Sequence, residues 1–394
     1  MVKGDKHDPK NYRPISLTSV LSKVCESLVR DSIIEHLQVT EQLCKEQHGF
    51  LPRRSCIGQL LTCLEDWTKQ LDQGHPVDVI YCDFQRAFDS VPHQRLLRKV
   101  YCFGIRGQVL AWLEAFLTGR RQRVVVNGVK SGWAPVMSGI PQGTVLGPTL
   151  FLLYVADLPS NLQNNVQMFA DDTKLYGRSG SVEECKTLQA DLQVLEVWSK
   201  EWMLPFNTSK CKSLHLGRSN LKQRYAVNGI ALQQVSEERD LGVTIDEVLK
   251  FRTQAAEAVK KANRVLGAIR RSFVNIDSWT LPILFKALVR PLLEYGNAIW
   301  GPHNKEDQLM VERVQRRATK LVRHIRDLPY AERLKILNLP SLQYRRKRGD
   351  VILCYQVMHG KLDLSSKSFF YRAPPAQPQE VTHLKLRSPM HSQG

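Results

Sequence analysis

At 394 residues, 43% of them apolar and 24% charged, the chain can bury the cores of two or three domains, and its composition excludes a collagen-like, wholly disordered or membrane-bundle protein. Its 56 Lys and Arg against 38 Asp and Glu leave a net charge of +18, which favours a polyanionic partner, nucleic acid first, over a small neutral substrate. The nine cysteines form no Cys-x-x-Cys pair and meet no His at zinc-ligand spacing, which argues against a zinc module and for reduced, intracellular thiols.

Met1 is followed by Val-Lys-Gly-Asp-Lys, with no apolar core of a secretory leader, so a non-secreted, intracellular protein is expected. From Asn11 to Leu37 a loop feeds a helix in which Leu17, Leu21, Val24, Leu28 and Val29 recur at helical spacing. Gly49 to Ser55 reads as a basic turn. A second helix, Ile57 to Leu71, stops before Gly74, and the apolar run Val77 to Phe84 suits a buried strand that ends on Asp83. Two more helices follow, with Pro92 opening the first and Gly104 and Gly119 lying past their ends. Arg123 to Val126, Asn127-Gly128 and Val129 onward predict a hairpin, because Asn-Gly accepts the positive φ of a type I′ turn.

Beyond the Gly- and Pro-rich loop 138–147 a helix runs to about Leu158. The apolar stretch from Thr144 to Leu158 is broken by Gly147, Pro148 and Asp157 and is too short to span a bilayer, so no membrane role is expected. Val166 to Ala170 and Thr173 to Tyr176 predict a second hairpin with Asp171-Asp172 at its tip. Ser181 and Glu184 make a capping box for a helix that buries Leu188, Leu192, Leu195 and Trp198. Asn228-Gly229 marks another hairpin. The pattern becomes helical beyond Phe251, which puts a boundary near residue 250, and the polar, Pro-containing stretch 361–394 is expected to be disordered. Residues 301–350 hold thirteen Lys or Arg against six Asp or Glu, either a solvated helical face or a polyanion contact.

Adjacent carboxylates repel each other, so Asp171-Asp172 asks for a compensating cation. Asp83, at the end of another predicted strand, could complete an oxygen cage for Mg²⁺, and two such ions would stabilise the attacking and leaving oxygens of an in-line displacement at phosphorus. An Asp-Asp pair by itself is more often a plain surface turn. The order of the surrounding motifs decides between these readings.

Asn-Tyr-Arg-Pro-Ile-Ser-Leu (11–17), Gly49-Phe50 with Arg53, Arg54 and Ser55, Asp83-Phe84-x-x-Ala87-Phe88-Asp89, Ser138-Gly-Ile-Pro-Gln-Gly143, Phe169-Ala-Asp-Asp172, Asn207-x-x-Lys210 and Leu241-Gly242 occur in this order. Over residues 5–360 the chain so resembles the reverse transcriptases of LINE-type (non-LTR), jockey-like retrotransposons. The resemblance implies an α/β right-hand polymerase: fingers and palm with an antiparallel sheet over 1–250, then an all-helical, basic thumb-like region over 251–360. It implies an RNA-directed DNA polymerase that extends a primer 3′-OH with deoxynucleoside triphosphates on an RNA template and a DNA primer.

By the same resemblance Asp83, Asp171 and Asp172 are the catalytic carboxylates. They hold two Mg²⁺ ions, for which Mn²⁺ can substitute, with the Phe84 carbonyl as a further ligand. Phe88 would lie under the sugar of the incoming nucleotide and exclude a 2′-OH; Gln142 would pack against that nucleotide. Lys210 would meet the leaving pyrophosphate and Arg53 or Arg54 the triphosphate. Arg313, Arg316, Arg317, Lys320 and Arg323, at three- and four-residue steps that put much of their charge on one helix face, would contact the template–primer backbone. Arg86 departs from the family's usual Lys and keeps the charge. No endonuclease segment or Cys-His knuckle precedes the first motif, so a truncated, inactive copy that only binds nucleic acid is the alternative expectation.

Overall fold

Short strands and helices alternate as far as residue 246, and helices dominate from there on, in a computed structural model that describes residues 14–372 and 384–386. Asn11, Tyr12 and Arg13 of the motif at 11–17 lie outside the described residues. The chain divides into two units. One holds the described residues up to Ser55 with Asp78–Ser213 and Leu221–Gln234; the other holds Cys56–Val77, Leu214–Asn220 and the described residues from Val235 onward.

The first helix, α1 (Val20–Val39), begins at a Ser19 cap. Of the residues at helical spacing, Leu17, Leu21, Val24 and Leu28 are exposed and Val29 packs partly buried against the core, while Glu26, Ile33 and Leu37 are buried. Glu26 supplies the reason. Its carboxylate accepts the N–H groups of Val145 and Leu146 at 2.7 and 3.1 Å, and a buried carboxylate must keep such donors. That contact sets which side of α1 docks.

Then come α2 (Cys56–Asp72), which belongs to the second unit, β1 (Val77–Cys82), α3 (Ala87–Ser90), α4 (His93–Cys102, after Pro92) and α5 (Gly107–Leu117). A thin ribbon follows: β2 (Arg121–Gln122) pairs with β5 (Ala134–Pro135), and β3 (Val125–Val126) pairs with β4 (Val129–Lys130). Its turn is the expected Asn127-Gly128, with φ of 50° and 84°. The helix α6 (Leu146–Val155) is buried along almost its whole length.

The hairpin of β6 (Asn165–Phe169) and β7 (Asp172–Arg178) is in place, but its register pairs Phe169 with Asp172. The tip is therefore Ala170-Asp171, not Asp171-Asp172, and Ala170 takes the left-handed φ of 57°. Next come α7 (Val182–Glu201), with its capping box intact and Leu188, Leu192, Leu195 and Trp198 buried, β8 (Lys212–Leu216), the hairpin of β9 (Ala226–Val227) and β10 (Ile230–Ala231), and β11 (Gln233–Val235). Five strands join in the order β11-β8-β1-β7-β6. The core of the first unit lies between this sheet's buried side chains and α4, α6 and α7.

In the second unit β12 (Glu237–Asp240) and β13 (Val243–Asp246) form an antiparallel hairpin around Leu241-Gly242, whose Leu241 carbonyl accepts the Tyr295 hydroxyl at 2.7 Å. The helices are α8 (Arg252–Ser272), α9 (Thr280–Leu284), α10 (Arg290–Glu294), α11 (Asn297–Trp300), α12 (Lys305–Thr319), α13 (Tyr330–Ile336) and α14 (Leu342–Met358). Buried Glu312 ties three of them together: it accepts the Tyr330 hydroxyl at 2.5 Å and the Leu342 and Gln343 N–H groups at 3.2 Å, at the start of α14. Within the stretch expected to be disordered, residues 366–369 are helical and Phe370–Arg372 pairs antiparallel with Leu384–Leu386. No helix among the described residues is long and apolar enough to cross a membrane.

Candidate active site

The strand β1 delivers Asp83 to its end, and the backbone there is held from one side. The Asp83 carbonyl accepts Asn207 N–H at 2.7 Å, and Gln85 N–H reaches the Pro205 carbonyl at 2.8 Å. Phe84 and Phe206 form the antiparallel bridge between these bonds, with rings stacked at 4.5 Å. Because flanking residues supply both hydrogen bonds, the Phe84 carbonyl itself points to the opposite edge of the strand. It is thus turned away from the 205–207 segment, as a metal ligand would need. The Asp83 side chain is one-third exposed, and Lys210 Nζ lies 3.1 Å from its Oδ2.

Asp171 and Asp172 sit at the start of β7, the neighbour of β1 in the sheet. Asp171 is half-buried and Asp172 exposed. The tip that carries them is clamped by Gln47, which the sequence reading passed over. Gln47 is 2% exposed; its Oε1 accepts the N–H of Ala170 and of Gly49, both at 2.8 Å, and its Nε2 reaches the Ala170 carbonyl at 3.4 Å. Segment 46–48 also pairs with β6, through His48 N–H to the Met168 carbonyl and Met168 N–H to the Glu46 carbonyl. An alanine costs roughly 1–2 kcal/mol in the left-handed region, and the Gln47 amide offsets that cost. The only local hint was that Gln47 stands two residues before the quoted Gly49-Phe50.

The loop 138–143 is sewn onto α3. Gly139 (φ 91°) packs so closely that a Cβ there would lie 2.8 Å from the Asp89 carbonyl oxygen, which requires glycine on two counts. Ser138 Oγ donates to that same oxygen, Ile140 N–H to the Phe88 carbonyl, and Gln142 Nε2 to Asp89 Oδ1 at 2.8 Å. The Gly139 carbonyl accepts Arg120 at 2.7 Å and lies 3.0 Å from His93 Nε2. Burial pushes the His93 pKa down, which favours the neutral ring with Nε2–H as donor. Phe88 is half-buried and stacks on Phe151 of α6 at 4.5 Å and 17°, so its ring is braced from behind. Ser16, in the motif at 11–17, donates its N–H to the Gln142 carbonyl at 2.8 Å.

The two finger arginines separate. Arg54 Nη1 donates to the carbonyls of Cys44, Lys45 and Gln47 at 2.6, 3.2 and 2.5 Å, fastening the loop that carries Gln47. Arg53 is exposed with a left-handed φ of 61°. In the second unit Arg313, Arg316, Arg317, Lys320 and Arg323 are all exposed, and only Arg323 leaves the face that the other four follow along α12 and its cap. The helix α12 ends at Thr319, Lys320 is its C-cap, and Arg323 opens a separate 3₁₀ turn after the chain goes extended at Val322. Arg316 lies over the Tyr330 ring at 4.8 Å and Arg317 donates to Asn263 Oδ1 at 2.8 Å.

Asp83, Asp171, Asp172 and the Phe84 carbonyl offer hard oxygen donors suited to Mg²⁺, and the turned-out Phe84 carbonyl fits that use. Among the described residues, however, no three His, Cys, Asp or Glu side chains converge as a cage.

The reverse transcriptase (RNA-dependent DNA polymerase) family matches residues 4–254. A curated relative, "Probable RNA-directed DNA polymerase from transposon BS" of Drosophila melanogaster, is 29% identical over 82% of this chain and 37% of its own length. The "RNA-directed DNA polymerase from mobile element jockey" of Drosophila funebris is 29% identical over 75% of this chain and 33% of its own. The chain thus spans about a third of the length of these relatives. Among solved structures, a telomerase from Candida albicans in complex with a telomeric RNA fragment aligns at 10% identity, with a TM-score of 0.44 over 82% of this chain and 59% of its own. By the match over residues 4–254, which covers all three carboxylates and the loop 138–143, the chain belongs to the reverse transcriptase family.

Proposed function

We propose that the chain is the polymerase portion of a non-LTR retrotransposon protein, an RNA-directed DNA polymerase that extends a DNA primer on an RNA template with deoxynucleoside triphosphates. The observation that carries the reading is the family match over 4–254 together with intact carboxylates at the ends of two neighbouring strands, Asp83 after β1 and Asp171 and Asp172 at β7. On this reading residues 1–250 act as fingers and palm and 251–360 as thumb, inside a cell's nucleus and cytoplasm.

Two Mg²⁺ ions, or Mn²⁺ in their place, would be held by Asp83, Asp171, Asp172 and the Phe84 carbonyl and would supply charge neutralisation at the reacting phosphate. The chain's own groups do the rest. Phe88, braced by Phe151, limits the space under the sugar and excludes a 2′-OH. Gln142, fixed through Asp89, presents a defined surface to the nucleotide. Lys210 carries charge, or a proton, to the leaving pyrophosphate, and Arg53 or Arg54 meets the triphosphate. The exposed Arg313, Arg316, Arg317, Lys320 and Arg323 offer charge to the duplex backbone.

Primer extension on poly(rA) with oligo(dT), dTTP and Mg²⁺ tests this. Extension by the chain and none by the Asp171→Ala, Asp172→Ala variant upholds it. Duplex binding without extension by either protein would leave a binding remnant instead.

A further inference from the structure

The ribbon β2–β5 takes no part in the reaction proposed above, yet its surface is unlike that of an ordinary exposed hairpin. From Glu114 to Asp157 there is no intervening Asp or Glu, while Arg120, Arg121, Arg123 and Lys130 fall within it. Arg120 turns to the Gly139 carbonyl; Arg121, Arg123 and Lys130 are exposed. Trp133 is 53% exposed, and both ribbon arginines lie over its ring, Arg123 at 4.6 Å and Arg121 at 6.0 Å. Val124, Val125, Val126 and Val129 are each more than half exposed. Two short ladders of two residue pairs each hold the ribbon.

We propose that this ribbon is a nucleic-acid-binding arm for a single-stranded polynucleotide, which seats a base on Trp133 and its flanking phosphates on Arg121, Arg123 and Lys130. Charge argues for the occupant: three exposed cations with no acid within the stretch complement a polyanion and would repel a basic protein face. The aromatic argues for a single strand, because an indole of this exposure can stack only on a base whose face is not already taken by a neighbour in a duplex. A guanidinium lying over an indole is held flat and keeps its N–H edge for phosphate oxygens. The inference goes beyond the proposed reaction, and binding can be read without turnover.

The test is fluorescence anisotropy of the full chain with a labelled oligo(rA) of about 16 nucleotides, and with the same sequence as a blunt duplex, across a salt series. Arg121→Ala, Arg123→Ala, Lys130→Ala together should flatten the log–log salt slope for the single strand by about 2, at roughly 0.7 per phosphate. Trp133→Ala should weaken single-strand binding about tenfold and leave duplex binding unchanged. Wild-type affinity and slope in both variants, or equal loss for single strand and duplex, would overturn the assignment. Should a variant fail to fold, photocrosslinking of a 4-thiouridine oligonucleotide to the wild-type chain decides: adducts within 121–135 uphold the proposal, and adducts confined to other segments refute it. Loss of ribbon-dependent binding in a chain that still extends primers, or the reverse, separates this inference from the polymerase reading.

Discussion

Lys210 Nζ lies 3.1 Å from Asp83 Oδ2, with the lysine side chain 64% and the carboxylate 33% exposed. An ion pair this open is worth at most about 1 kcal/mol. Lys210 therefore pairs with Asp83 without locking it, which leaves both groups able to change partners, as the roles proposed for them require. Replacing Lys210 with Met should lower the turnover of primer extension by about a hundredfold, the low end for loss of a general acid. It should also lower the Mg²⁺ concentration needed for half-maximal rate, since the competing ammonium is gone. A Mg²⁺ titration of both proteins reads the two effects; an unchanged turnover would remove Lys210 from the chemistry.

Gln47→Leu strips the acceptor from two buried N–H groups, those of Ala170 and Gly49. At about 1–3 kcal/mol for each unsatisfied group, the melting temperature should drop clearly. The hairpin tip should also lose its left-handed turn, so kcat should fall while KM for dTTP holds. Ala170→Gly in the same background relieves the strain at φ 57° and should restore part of kcat. A kcat equal to wild type in Gln47→Leu would make the residue a purely structural clamp.

Phe88 is backed by Phe151 at 4.5 Å, so in the role proposed for it the ring could not retreat from a bulky sugar. Phe88→Val should reduce discrimination between dTTP and rUTP by tenfold or more, about 1.4 kcal/mol on the scale of relative barriers. Single-nucleotide incorporation with each triphosphate measures the ratio. Phe151→Ala should produce a weaker change in the same direction, because it frees the ring without removing it.

Lys99 gives a pH prediction. Its ammonium is walled in by Tyr154, Trp198 and Trp202, with Asp157 Oδ1 and the Tyr154 carbonyl at 2.5 Å. Burial nevertheless pushes its pKa down from 10.5 to about 8, outweighing the raising effect of Asp157. Between those values the unfolded chain holds the extra proton, so stability rises with pH across that window, by up to about 3 kcal/mol. Above pH 10 the trend reverses: burial raises the pKa of Tyr154 and Tyr225, so the unfolded chain loses phenolic protons that the fold retains. Urea melts from pH 7 to 11 should show a maximum near pH 9–10, and Lys99→Met should flatten its acid side.

The hairpins at Asn127-Gly128 and Asn228-Gly229, the capping box of α7 and the strand leading to Asp83 were legible because each is written in residues a few positions apart. The apolar spacing showed that α1 is a helix but not which side of it docks, for a nonlocal reason: Glu26 docks on backbone N–H groups 119 and 120 residues away. Periodicity registers side-chain polarity and is blind to such an acceptor. The basic run after residue 310 read as one helix face because its spacing continues past Thr319, where the backbone does not.

The carboxylates, the glycine of the 138–143 loop and the candidate nucleotide contacts could be named from the chain alone, since metal binding, close backbone approach and family motifs demand particular residues in a particular order. The register of the β6–β7 hairpin, the three carbonyls held by Arg54, the clamp by Gln47 and the bond from Gln142 to Asp89 emerged only on folding. Each depends on hydrogen bonds between groups brought together from distant parts of the chain, whether Gln47 with Ala170 across 123 residues or Gln142 with Asp89 across 53, and no local pattern records which buried donor will meet which acceptor.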